Sequence, residues 1–112
     1  MTTRPTDMLY IFSQQTVDAT SDIYYLDFTS NKCVVSAWGE WDGASLILQV
    51  GTVPTLDNTT TWITITDRLD IPFAFTTNIT KTLTEYVNGQ PIRGVLSDSG
   101  ASTNINCTVQ VI

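Results

Sequence analysis

The chain predicts an all-β fold: an antiparallel two-sheet β-sandwich, jelly-roll-like, of about eight strands with an amino-terminal arm. Three observations point there. Threonine occurs twenty times in 112 residues, and β-branched side chains suit a pleated, half-buried surface better than a helix. Short apolar runs are separated at intervals of roughly ten residues by Gly, Pro, Asn, Asp and Ser, the spacing of sandwiches and small barrels. No segment holds a 3.6-residue apolar period long enough to be a helix.

The elements follow in order. Residues 1–7 are polar, include Pro5 and read as a loose arm, and Met8–Phe12 is a short apolar run with strand character. Residues 1–15 are therefore taken as arm and first strand, and 16–112 as one sandwich domain. Val17–Phe28 reads as one strand or a bent pair. Cys33–Trp38 is a strand, Gly39–Gly43 a turn and Ala44–Val50 a strand. The next loop carries Pro54 and the polar cluster DNTTT. Thr61–Thr66 and Ile71–Thr76 are expected as two strands around an Asp67–Asp70 turn, with Ile71, Phe73 and Phe75 on one face. Pro72 lacks an N–H and favours an edge or a strand start. Ile79–Val87 ends at Asn88-Gly89, a strong hairpin signal. Pro91–Leu96, the loop SDSGAS and a last strand Thr103–Ile112 complete the chain. In that strand Ile105, Cys107, Val109 and Val111 share the inward face.

Charge narrows the choice of partners. The formal net charge is −6, and the five basic residues, Arg4, Lys32, Arg68, Lys81 and Arg93, do not cluster. Nucleic acid needs a basic stripe, and an anionic membrane surface needs the same, so neither is an expected partner. No apolar run is long enough to span a bilayer. The amino terminus, MTTRPTDMLYIF, lacks the apolar core of a secretory signal, so synthesis and assembly in a cytoplasm are expected. Cys33 and Cys107 do not have metal-site spacing. They are expected first as buried free thiols, with a cross-sheet disulfide as the alternative.

The stretch WGEWDGASLILQV, Trp38 to Val50, places Glu40 and Asp42 between two tryptophans. A glycosidase pair would face across a bond from separate elements, with carboxyls ~5–9.5 Å apart. Two acids on one short turn do not face each other, whereas Asp42-Gly43 is what a tight turn requires. There is no histidine, so a Ser-His-Asp or Cys-His arrangement cannot form. No catalytic residue, metal ligand or cofactor is expected. Trp38, Trp41 and Trp62 read either as structural aromatics or as a sugar-stacking platform.

From Cys33 onward the chain resembles a group of short all-β proteins encoded among the structural genes of tailed bacteriophages. The resemblance is carried by Gly39, Trp41-Asp42-Gly43-Ala44, Leu46-Ile47-Leu48-Gln49-Val50, Thr59-Thr60-Thr61-Trp62, Ile92-Arg93-Gly94-Val95-Leu96-Ser97 and Gly100-Ala101-Ser102-Thr103. It implies a virion component. The expected role is a head decoration or cement protein on the outer head surface, bound to the major capsid protein, as a symmetric oligomer such as a trimer. The candidate contact is Met8, Leu9, Tyr10, Ile11 and Phe12, which could add a strand to a neighbour. One alternative is a glycan- or receptor-binding module on a tail or fibre, stacking sugars on Tyr24, Tyr25 or Trp41. Another is a tail-tube or head–tail joining subunit, which would need a self-complementary β edge.

Overall fold

A computed structural model describes residues 8–25, 33–52, 61–67, 69–83 and 90–111 of the chain. The amino-terminal arm, the DNTTT loop and the Asn88-Gly89 turn lie outside the described residues. The described residues form ten strands: β1 (Met8–Gln15), β2 (Ala19–Thr20), β3 (Tyr24–Tyr25), β4 (Cys33–Glu40), β5 (Ser45–Gly51), β6 (Trp62–Thr64), β7 (Ala74–Phe75), β8 (Ile79–Leu83), β9 (Pro91–Ser97) and β10 (Asn104–Val111). One sheet has the order β1-β10-β4-β8. The other runs β2-β9-β5-β6, with β3 also on β9 and β7 also on β5. All pairings are antiparallel.

Taken together, β2 with β3 and β6 with β7 each act as one interrupted strand. Eight strands then remain, and every connection except the one from β5 to β6 carries the chain to the opposite sheet. That is the two-sheet jelly roll. Val17–Phe28 thus supplies the bent pair β2 and β3 as far as Tyr25. Thr61–Thr66 and Ile71–Thr76 do not form two separate strands. They are the two halves of one edge strand on β5, opened by an excursion. Ile65 donates to the Leu48 carbonyl (2.9 Å), Leu48 to Phe73 (3.0 Å) and Phe73 to Ile65 (2.8 Å), closing its base. Asp67 shapes its tip: Oδ1 accepts from the amides of Leu69 (2.8 Å) and Ile71 (3.0 Å). Ile71 consequently sits exposed on this tip, while Phe73 and Phe75 are buried and meet edge to face.

The core follows from strand parity. Leu9, Cys33, Val35, Ala37, Leu83, Ile105, Cys107 and Val109 line one inner face, and Leu46, Leu48, Phe75, Ile92 and Leu96 the other. Each large aliphatic side chain buried this way contributes roughly 1.5–3 kcal/mol. In β1 the register slips between Tyr10 and Phe12. This bulge lets consecutive Ile11 and Phe12 both turn inward. Residues 8–15 are therefore an integral strand of the sandwich. Room for them is made on β9, where a Cβ on Gly94 would stand 2.7 Å from Ile11 Cγ2 and 3.1 Å from Phe12 Cε2. Cys33 and Cys107 are both buried and free. Cys107 pairs with Ala37, four residues along β4 from Cys33, so roughly 13 Å of strand separates them, beyond disulfide reach.

The edge of the four-stranded sheet at β8 is guarded. Lys81 lies opposite the buried Val35 and so points inward. Its Nζ is 4.6 Å from the centre of the Phe73 ring and 2.9 Å from Asp67 Oδ2. An inward lysine on an edge strand discourages a further strand from pairing there.

Two outcomes are expected. Gly94→Ala forces β1 away from β9 and lowers stability by about 1–3 kcal/mol, measurable by urea unfolding. The second concerns Asp67, whose carboxyl is held below its ordinary range, first by Lys81 and then by the Ile71 amide. A depressed folded-state pKa stabilises above the unfolded value and is lost as pH falls through the folded one. Asp67→Asn should therefore unfold earlier than the parent at pH 7, and the gap should close below about pH 4.

Candidate functional site

Four sheet-switching connections meet at one end of the sandwich: 16–18, 41–44, 76–78 and 98–103. Each is tied to another by a side chain. Asp18 Oδ1 accepts from the Ser99 amide (2.8 Å) and hydroxyl (2.6 Å). Asp42 Oδ2 accepts from the Ser102 amide (2.8 Å). The buried Thr103 hydroxyl donates to the Trp41 carbonyl (2.9 Å) and accepts from the Gly100 amide (2.8 Å). Asn78 Oδ1 accepts from the Gly39 amide (3.1 Å) and from Trp41 Nε1 (2.9 Å). The end is knitted into one piece.

This settles the geometry of Glu40 and Asp42. Residues 41–44 form a tight turn closed by Ala44 N–H to the Trp41 carbonyl (2.8 Å), with φ of +43° at Asp42 and +85° at Gly43. Two positive φ values in succession are the type I′ pattern. The turn is a corner between sheets, since β4 and β5 lie in different ones. Gly39 and Glu40, expected in the turn, instead extend β4. Asp42 is consumed in holding the 98–102 loop, while Glu40 lies on the outer sheet surface. The two acids do not converge.

The outer face of the four-stranded sheet carries the surface relief. Rows of cross-strand neighbours run Met8–Gln110–Val34–Thr82, then Tyr10–Thr108–Ser36–Thr80, then Asn106–Trp38. Thr108 is buried in the floor, and the Ser36 and Thr80 hydroxyls are 3.3 Å apart. Trp38 is 38% exposed and stands between two open depressions of about 530 and 320 Å³. The larger has Met8, Ser36, Thr80 and Thr108 in its walls. The smaller, toward the knitted end, has Gln14, Glu40, Asn78, Asn104 and Asn106.

Two of these amides are oriented by the backbone. The second slip in β1, with Gln14 at φ +52°, directs the Gln14 N–H onto Asn106 Oδ1 (3.0 Å). Asn78 Oδ1 is engaged by its two donors, as above. In both, the oxygen is committed inward and the amino group is left as the outward donor. The face offers a flat aromatic surface, fixed N–H donors, hydroxyls and one carboxylate.

The positions singled out from sequence fall as follows. Leu9, Ile11 and Phe12 are buried in the core, and Met8 and Tyr10 are 47% and 49% exposed on the outer face. Tyr24 is partly covered and its hydroxyl donates to the Tyr10 carbonyl (3.1 Å). Tyr25 is exposed and pairs with Pro91 at the start of β9. Trp41 packs against the core near the opposite end of that strand. Tyr24 and Tyr25 therefore do not share a surface with Trp41. Nor do the three tryptophans form one platform. Trp62 lies on the other sheet with the Arg93 guanidinium 4.1 Å over its ring, and Arg93 Nε donates to Gln49 (2.8 Å). Sequence parity would have placed Trp38 outward with Val34 and Ser36. Its amide neighbours come from β1, β10 and the 76–78 connection, which only the register brings together.

Burial pushes both thiols up to about 12, so neither is a thiolate near neutral pH. Among the described residues no three His, Cys, Asp or Glu side chains are grouped as metal ligands. Comparison of the chain with protein-family models, with curated proteins and with solved structures finds no match in any of the three.

Proposed function

We propose that this chain is a structural virion protein of a tailed phage that binds the major capsid protein on the outer head surface as a decoration or cement subunit. The observation that carries the reading is the pair Met8 and Tyr10. They are large, half exposed and set on the outer side of β1, on a rigid sheet whose inner side is fully packed. Apolar side chains so placed are anchors for a protein partner, with Tyr favoured among interface hot spots. The resemblance noted in the sequence supplies the phage context, and a jelly roll is a frequent architecture of capsid proteins, an argument from fold alone. The charge of −6 suits a protein kept clear of packaged DNA.

Contact through side chains is favoured over strand addition. Lys81 blunts the β8 edge. On β1 two register slips bend the edge, and Tyr24 occupies the Tyr10 carbonyl. A ring or tube closed by edge pairing would need flatter strands with free carbonyls and amides. The contact first read as Met8–Phe12 thus narrows to Met8 and Tyr10, because Leu9, Ile11 and Phe12 are spent on the core.

Mixing the purified protein with expanded capsids lacking it should give co-sedimentation at near-stoichiometric ratio. The double variant Met8→Ala, Tyr10→Ala should keep the parent melting temperature and bind roughly tenfold or more weakly. Failure to sediment with heads, or rings of the free protein in negative stain, would sink the proposal.

A further inference from the structure

We infer that the groove on either side of Trp38 is a binding site for a neutral oligosaccharide, centred on Trp38 and adjoining the Met8 and Tyr10 contact, since Met8 stands in the wall of its larger depression. Sugar rings present two kinds of surface. Their axial C–H faces pack on the flat of an aromatic ring, and their hydroxyls demand donors and acceptors at the rim. Trp38 supplies the first. It stands on β4 opposite Asn106, and among the described residues no cation covers it, in contrast to Trp62 beneath Arg93.

The rim supplies the second. The Asn78 and Asn106 oxygens are both occupied by protein N–H groups, so each amide turns its amino group to the groove with its orientation already set. Fixed donors bind without the entropy cost of ordering them. Glu40 offers acceptor oxygens next to these donors, the pairing that neighbouring sugar hydroxyls require, since each hydroxyl both gives and takes a hydrogen bond. The two depressions, about 530 and 320 Å³, adjoin at Trp38. The site therefore takes a chain, with one ring on the indole and its neighbours to either side.

Charge selects among saccharides. The groove's charged group is Glu40, and the chain as a whole carries −6. Sugars bearing carboxylate or sulfate are repelled, and neutral hexose chains are admitted. Trp38 and the smaller depression lie toward the knitted end, two rows beyond Met8 and roughly 13 Å from it along β10, while the larger depression reaches back to Met8.

The experiment uses the whole chain, ¹⁵N-labelled, titrated with soluble neutral tetra- to hexa-oligosaccharides of glucose, galactose and mannose, and with uronic-acid oligomers of equal length. The expected result is saturable shifts of the Trp38 indole N–H and the Asn106 side-chain amide with a neutral chain, and none with the uronic series. Trp38→Ala should abolish the shifts at Asn106, and Trp62→Ala should leave them unchanged. Asn106→Asp keeps the oxygen that accepts the Gln14 amide and removes the outward donor. It should weaken binding roughly tenfold, the loss expected for one good hydrogen bond, with an unchanged melting temperature. The inference is overturned if no neutral chain moves Trp38 at roughly 10 mM, the weak limit of specific recognition. Shifts mapping to Tyr25 or Trp62, or binding that survives Trp38→Ala, overturn it as well. Capsid co-sedimentation lost in Trp38→Ala without any saccharide shift would assign the face to a protein partner instead. Because the capsid assay reads Met8 and Tyr10 and this titration reads Trp38, either proposal can fail alone.

Discussion

The structure depends on how one end of the sandwich is closed. A jelly roll sends its chain from sheet to sheet repeatedly, and each crossing exposes backbone groups that no sheet ladder can satisfy. Here four crossings satisfy one another. Asp18 and Asp42 accept the amides of the 98–102 loop, Thr103 bridges that loop to the Trp41 carbonyl, and Asn78 ties the fourth crossing to Gly39 and the Trp41 indole. Thr103 is buried and its hydroxyl both gives and accepts, leaving no orphaned polar atom there. The Trp41-Asp42-Gly43-Ala44 and Gly100-Ala101-Ser102-Thr103 segments are the two halves of this junction. Their shared presence encodes a corner of the fold, and a binding surface must be sought elsewhere.

Rigidity at that end has a consequence for the outer face. Gly39 has φ +139° and a Cβ there would collide with the Asn104 carbonyl, so β4 and β10 approach closely where Trp38 and Asn106 stand side by side. The same close approach, the β1 bulge and the Asn78 bridge fix two amide side chains, Asn106 and Asn78, beside one indole. Binding groups on strands, supported by a second layer of hydrogen bonds, hold their geometry better than groups on loops. The groove is shallow and open to either side of Trp38.

Much of the fold was legible in the chain itself. Period-two alternation placed Ile105, Cys107 and Val109 inward, and Asp42-Gly43 announced its turn, because both signals are local. The broken strand was not legible. Thr61–Thr66 and Ile71–Thr76 each have strand propensity, and nothing local tells that a single partner, β5, receives both. The first strand was ambiguous for a related reason. Five consecutive apolar residues, Met8 to Phe12, fit no alternating face, and only the bulge opposite β10 explains how Ile11 and Phe12 can both be buried while Tyr10 is not. The candidate groove was hidden most deeply. Its residues come from four segments, and the amide orientations that make it selective follow from hydrogen bonds between residues up to ninety-two positions apart.

Three of the acidic residues are committed to the fold. Asp18 is held below its ordinary carboxylate range by the Ser99 hydroxyl and amide, and Asp67 by Lys81 and its own turn. Asp42 is fixed on Ser102. Each substitutes for a backbone partner that a crossing or a strand excursion took away, so each is bound to the fold. Glu40 differs. It ends β4 on the outer face opposite Asn104, beside the Trp38 groove, where the junction behind it needs no further acceptor. Two acids separated by one residue thus acquire unlike roles because β-strand geometry directs one to the corner and the other along the sheet surface. The division follows from the parity of the strand and the position of its turn, and it leaves the Glu40 carboxylate beside the Trp38 groove.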